Sequence, residues 1–232
     1  MSELLDKLKG VTQLPIFPLP LVLLPIEILP LHIFEPRYRQ MLDDAQATNK
    51  MFGVHFFEPK EEFDTRPAVG SVGCVAEIRE VQTMPDGRSN ILTNGVVRYR
   101  LLDYVETDAP YLIGEMEFFE DDIEDAGEKL KVADKVFELF ERIAKAAFKM
   151  SGSRGRFPEI ERADPEPMSF LVTAAFNLDN ERKYRLVEMT STIKRLRNLR
   201  KILVQAADQM EASAEIHQIS QTNGHSKKKI DL

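Results

Sequence analysis

The run Leu14 to Ala45 reads LPIFPLPLVLLPIEILPLHIFEPRYRQMLDDA, and its prolines decide how the amino-terminal half can fold. Pro15, Pro18, Pro20, Pro25 and Pro30 each lack a backbone donor and have a fixed φ, so this apolar segment cannot form a helix. The same prolines, with Glu27, exclude a membrane-spanning helix, which must bond its own backbone throughout. They also argue against interior strand pairing, leaving edge strands and ordered loops. Apolar side chains left exposed on such a run mark an interaction surface, and covering by other parts of the chain is the structural alternative. Pro36 then suits the first position of a helix over 36–47, where Tyr38, Met41, Leu42 and Ala45 share a face.

Outward from this run, strand patterns continue to about residue 120. Phe52 to Phe57 is uniformly apolar and predicts a central strand. Val72, Cys74, Ala76 and Ile78 alternate with polar positions, as one buried face requires. Met84-Pro85-Asp86-Gly87 is a turn sequence, predicting a hairpin between that strand and one from Ser89 to Val97. Val97, Tyr99 and Leu101 alternate with Arg98 and Arg100, and Leu112 to Phe118 alternates likewise, so both read as half-exposed strands. The acidic stretch Glu115 to Glu128 reads as a solvated linker, since it lacks the residue order of a calcium loop.

Beyond residue 128 the apolar period becomes helical. Val136 to Phe148 predicts a helix buried on more than one side, Pro165 to Phe176 a second and Glu181 to Glu188 a short third. Thr190 is placed to cap a long last helix with Ile193, Leu196, Leu199, Leu203 and Met210 inward. The organisation expected is therefore a strand-built part over 11–120, a helical part over 128–219 and a disordered tail over 220–232.

A net charge of -7 on 232 residues opposes affinity built on neutralising phosphates, so nucleic acid is a minority expectation. The single cysteine, Cys74, makes no intrachain disulfide and fits a reducing compartment, which places the chain in the cytoplasm. Cys74 reads as a small buried hydrophobe, and His32 and His55 as hydrogen-bonded structural residues. No glycine opens a phosphate loop or a dinucleotide fingerprint, and no histidine pair has metal-ligand spacing. No catalytic residue, metal or cofactor is expected. The set Lys194, Arg195, Arg197, Arg200 and Lys201 reads as the outer face of the last helix. An RNA-binding role for that basic face is the alternative.

The stretch from Leu14 also resembles the opening signature of the Lon protease amino-terminal domain, the LON substrate-binding domain family: L-P-L-F-P-L, then L-P-L-x-I-F-E-P-R-Y. The likeness continues through Phe52-Gly53-Val54, Gly70 to Gly73, Pro85 to Arg88, Gly95 to Leu101, Tyr111-Leu112 and Asp164-Pro165. It implies an α+β fold, a PUA-like β pseudobarrel followed by a carboxy-terminal helical bundle. Full Lon enzymes add an ATPase and a serine-lysine peptidase, whose motifs are not found here, so the family name does not imply protease activity.

What the resemblance implies instead is non-catalytic binding of unfolded or damaged polypeptides, or an adaptor role beside a protease or chaperone in protein quality control. It also implies contacts between subunits of a homo-oligomer. Within the signature, Phe34, Glu35, Pro36, Arg37 and Tyr38 are expected to be structural, with a Glu35–Arg37 ion pair and Tyr38 packed. Ile26, Ile28 and Leu29 are the expected polypeptide contacts, with Leu21 and Leu23 behind them. Relatives often carry glycine after the Leu24-Pro25 equivalent; Ile26 makes this loop bulkier and more apolar.

Overall fold

Pro15 and Pro18 both lie within a strand that has a neighbour on each side in the sheet order, yet each sits on an edge as expected. The computed structural model, which describes residues 8–59, 61, 65–151 and 156–223 with side chains to 216, shows how. Strand β1 (Gln13–Leu19) pairs antiparallel with β6 (Leu112–Phe119) through Gln13–Ile16, then parallel with β3 (Met51–Phe56) through Ile16–Leu19. Each half of β1 is thus an edge. The Met116 amide donates to the Thr12 carbonyl and the Phe57 amide to the Leu19 carbonyl, each at 2.8 Å. Counting alternately from these bonds, the nitrogens of Pro15 and Pro18 face away from the paired neighbour, so neither costs a ladder bond.

Strands β2 (Ile28–Ile33), β4 (Val72–Thr83) and β5 (Ser89–Tyr104) complete a six-stranded mixed sheet of order β2-β5-β4-β3-β1-β6. A further pairing of β5 with β6 closes it into a ring-like pseudobarrel. The predicted hairpin joins β4 and β5 with Gly87 at φ 79°, and the two runs read around Val97 are one continuous β5. β3 is buried between β4 and β1, as its uniform apolarity requires. Helix α1 (Pro36–Ala47) buries Tyr38, Met41, Leu42 and Ala45 against Phe17, Ile33, Phe52 and Val54. The α+β architecture expected from the sequence is the one observed.

Among the described residues four helices follow: α2 (Ala126–Met150), α3 (Pro165–Ala175), α4 (Asn180–Glu188) and α5 (Thr192–Asn223). The chain divides into two compact units, Met1–Asp122 with Thr173–Thr190, and Ile123–Val172 with Ser191–Leu232. Residues 173–190, counted with the helical part in the sequence reading, thus stand with the sheet. In the second unit α2 and α5 run parallel, since the pairs Glu128–Arg197 and Arg142–Glu211 share an offset of 69 residues. Ala133, Val136 and Ile143 on α2, and Leu196, Leu199 and Leu203 on α5, form the buried stripes. The tail expected from 220 is still helical to Asn223, and 224–232 lie outside the described residues.

The acidic stretch is not a solvated linker. Asp121 makes a buried ion pair with Arg98 at 2.5 Å, with side chains 2% and 1% exposed. The Thr190 hydroxyl donates to Asp122, the Ile193 amide to Glu124, and Asp125 caps α2 by accepting from the Glu128 amide at 2.7 Å. Ser191, not Thr190, caps α5, accepting from the Lys194 amide at 3.0 Å while its hydroxyl donates to Glu124. Arg98 is likewise not on an exposed strand face, because β5 passes through the interior at Gly95–Tyr99.

Candidate polypeptide-binding groove

The signature residues converge where β1 and β2 end and α1 begins. Phe17, Leu19 and Pro20 form one wall of an open groove of about 610 Å³, Leu31, His32 and Phe34 another, and Glu35, Arg37 and Tyr38 the start of α1 beside them. Phe57, following β3, and Pro110 to Leu112, leading into β6, complete it. The ring centroids of Phe17 and Tyr38 are 4.2 Å apart, and Phe34 is 58% exposed.

The charged groups around this apolar lining are already satisfied. Arg37 donates to Glu35 at 2.9 Å and lies over the Tyr38 ring at 4.6 Å. That ion pair is present as expected, but it joins the residue before α1 to the helix's second residue and spans nothing further. The Tyr111 hydroxyl donates to Asp44 at 2.6 Å; burial and that carboxylate push its pKa up to about 12. His32 Nδ1 is bonded to Asn90 at 2.7 Å. Tyr38 lines the groove, while the residue as a whole is buried. Burial raises the Tyr38 pKa above its ordinary value, keeping the hydroxyl neutral. Such a site suits an uncharged apolar chain and disfavours an unpaired charge, which would lose its hydration there.

The expected contact residues separate by burial. Leu23 is 3% exposed in the core, and Leu21 and Leu29 are partly buried against the same cluster. Ile28, 64% exposed, faces outward from β2, and Ile26 is half-buried in the turn before it. Phe17, Phe57 and Tyr111, which line the groove, escaped the sequence reading. The alternation in LPIFPL signals Phe17, whereas Phe57 and Tyr111 arrive through long-range pairing.

Ile26 has φ 63°, a left-handed conformation that a β-branched residue adopts at a cost of about 1–2 kcal/mol. The turn holding it is fixed on several sides. The Glu27 amide donates to the Leu24 carbonyl at 3.2 Å, and the Leu24 amide to the Glu27 carboxylate at 2.9 Å. Desolvation raises the pKa of that carboxyl. The Ile26 amide donates to the Gly95 carbonyl, and the Gly95 amide to that of Glu27. A side chain at Gly95 is impossible without movement, as its Cβ would stand 2.0 Å from the Leu24 carbonyl oxygen. Ile26→Gly is therefore expected to leave stability within about 1 kcal/mol of the parent, relieved strain offsetting the added chain entropy and the lost half-buried side chain, as read by chemical denaturation.

One member of the basic set of the last helix, Arg195, does not face outward, contrary to expectation. Arg195 is fully buried, donating to the Ser169 hydroxyl at 2.8 Å with its guanidinium 4.0 Å from the Phe170 ring centre, and Arg197 is paired with Glu128. Lys194, Arg200 and Lys201 are exposed.

The ATP-dependent protease La (LON) substrate-binding domain family matches residues 13–205, and the chain belongs to that family. A Lon protease 2 of Herpetosiphon aurantiacus is 27% identical over 156 residues, 67% of this chain and 19% of the relative, so the chain corresponds to about a fifth of that protein. Among solved structures, a Lon N-terminal domain protein from Xanthomonas campestris superposes with TM-score 0.59 at 22% identity, covering 82% of this chain and 97% of the other. The N-terminal domain of a Mycobacterium avium complex Lon protease gives 0.59 at 19%, covering 84% and 98%. These likenesses show the fold. No helix among the described residues is long and apolar enough to cross a membrane.

Proposed function

We propose that this chain binds unfolded or damaged polypeptide without catalysis, acting as an adaptor for proteolysis or protein quality control, and that the groove at Phe17, Phe34 and Tyr38 is where it does so. The observation that carries this reading is an exposed, aromatic-rich groove whose rim charges are internally paired. A bound segment gains by covering apolar surface, at roughly 25 cal/mol per Å². Because these contacts are short-ranged and neutral, affinity should survive added salt.

Fluorescence anisotropy with a labelled, permanently unfolded protein tests this. Phe34→Ser is expected to weaken binding about tenfold, the loss of one exposed aromatic anchor, with the melting temperature nearly unchanged. Binding that collapses with salt, or that ignores the substitution, contradicts the reading.

A further inference from the structure

We infer that the polypeptide footprint does not end at the groove but continues along the outward face of β2 to the Ile26–Ile28 turn, and that this extension is read by side chains rather than by strand addition. The inference rests on the polypeptide-binding reading above. Along β2 the inward residues Leu29, Leu31 and Ile33 pack on the core, while Ile28, Pro30 and His32 face solvent and lead to Phe34 at the groove. From Ile28 to Phe34 is about 20 Å of extended chain. The stripe is continuous with the groove because His32 and Phe34 belong to both, with ring centroids 6.0 Å apart.

Its immediate neighbours on β5 are neutral, and carboxylates, Glu77 and Glu80, come only one strand further, on β4. The β5 residues opposite Ile28, Pro30 and His32 are Asn94, Leu92 and Asn90, so no lysine, arginine or carboxylate interrupts these paired positions. An apolar segment of unfolded polypeptide fits this surface.

The free edge of β2 explains why strand addition is not the mode. Among the described residues β2 pairs only with β5, and the Gly95 amide bonded to the Glu27 carbonyl fixes the alternation, so that the backbone of residues 28, 30 and 32 points to the free edge. Pro30 removes the central donor there, a device that prevents edge pairing. Recognition is left to side-chain faces, which tolerate sequence variation. The turn at the far end of this stripe holds Ile26 at φ 63°.

The test uses two fluorescein-labelled peptides, two and five repeats of Leu-Ser-Pro, which are uncharged, extended at about 3.1 Å per residue and long enough in the second case to span groove and stripe. The longer peptide should bind at least tenfold tighter. Ile28→Ser should remove most of that advantage while leaving the short peptide's affinity unchanged, and Phe34→Ser should weaken both. Equal affinity for the two peptides, or an Ile28→Ser effect on both, overturns the extended footprint and leaves the groove reading standing. Binding of neither overturns the groove reading as well. Sedimentation of each variant supplies the remaining arm: a dimer that Ile28→Ser dissociates would assign the stripe to a second copy and overturn the inference.

Discussion

Arg98→Met is expected to destabilise the sheet unit by about 3–5 kcal/mol, enough to leave much of the protein unfolded at 37 °C. The guanidinium is almost wholly inaccessible and does three things at once. It bonds Asp121 at 2.5 Å, the Met189 carbonyl at 2.6 Å and the Val187 carbonyl at 3.1 Å, tying β5 to the chain after β6 and to the end of α4. It also lies 4.6 Å from the Phe119 ring centre. Methionine fills part of the volume but takes the guanidinium away from the buried Asp121 carboxylate and from two carbonyls. The double variant Arg98→Met/Asp121→Asn should recover part of the loss, because the buried charge is gone. Chemical denaturation of the single and double variants checks this; a loss below about 1 kcal/mol for Arg98→Met would mean the pair is not a structural tie.

Acidification should weaken the same unit through His55. This imidazole is fully buried, with Nε2 2.7 Å from the Ser71 hydroxyl oxygen and Nδ1 3.0 Å from that of Tyr99. Because the Ser71 hydroxyl donates to the Ala68 carbonyl, it accepts from Nε2–H, and Nδ1 accepts from Tyr99. Burial disfavours the charged ring and pulls its pKa down to about 4. In the unfolded chain the same ring takes a proton near its ordinary 6.5. Between these values the unfolded state binds more protons, so the contribution of neutral His55 is fully present above about pH 6.5 and is lost as pH falls toward 4. The whole window corresponds to roughly 3 kcal/mol. His55→Gln, which cannot titrate, should be less stable than the parent at neutral pH, and the difference should shrink on acidification. A difference that stays constant from pH 7 to pH 4 would contradict a buried neutral imidazole.

Much of the fold was legible because its signals are local. Pro36 and the 3.6-residue spacing of Tyr38, Met41, Leu42 and Ala45 define α1 without help from the rest of the chain, and the turn at Asp86-Gly87 defines the β4–β5 hairpin. What escaped depends on pairing between distant segments. Pro15 and Pro18 require edge positions, but the change of partner at Ile16 that makes each half of β1 an edge is set by β3 and β6. Arg98 and Asp121 each look exposed within their own segments, and only the passage of β5 through the interior makes a buried pair of them. The groove was half legible for the same reason. Phe34 to Tyr38 and Phe17 belong to one contiguous signature, whereas Phe57 and Tyr111 join them through β3 and β6. Ile26 and Ile28 stood out as bulky residues in a loop, and the positive φ of Ile26 gives that impression a physical meaning.

The most direct test of polypeptide binding at the groove is site-specific photocrosslinking. A benzophenone amino acid replaces Phe34, or, as a control of similar exposure in the other unit, Leu130. Illumination with a labelled unfolded protein is expected to give a covalent adduct from position 34 that an unlabelled unfolded protein competes away, and little from position 130. Equal adduct from both positions, or none from position 34 under conditions where anisotropy shows binding, would contradict the assignment of the groove as the polypeptide site.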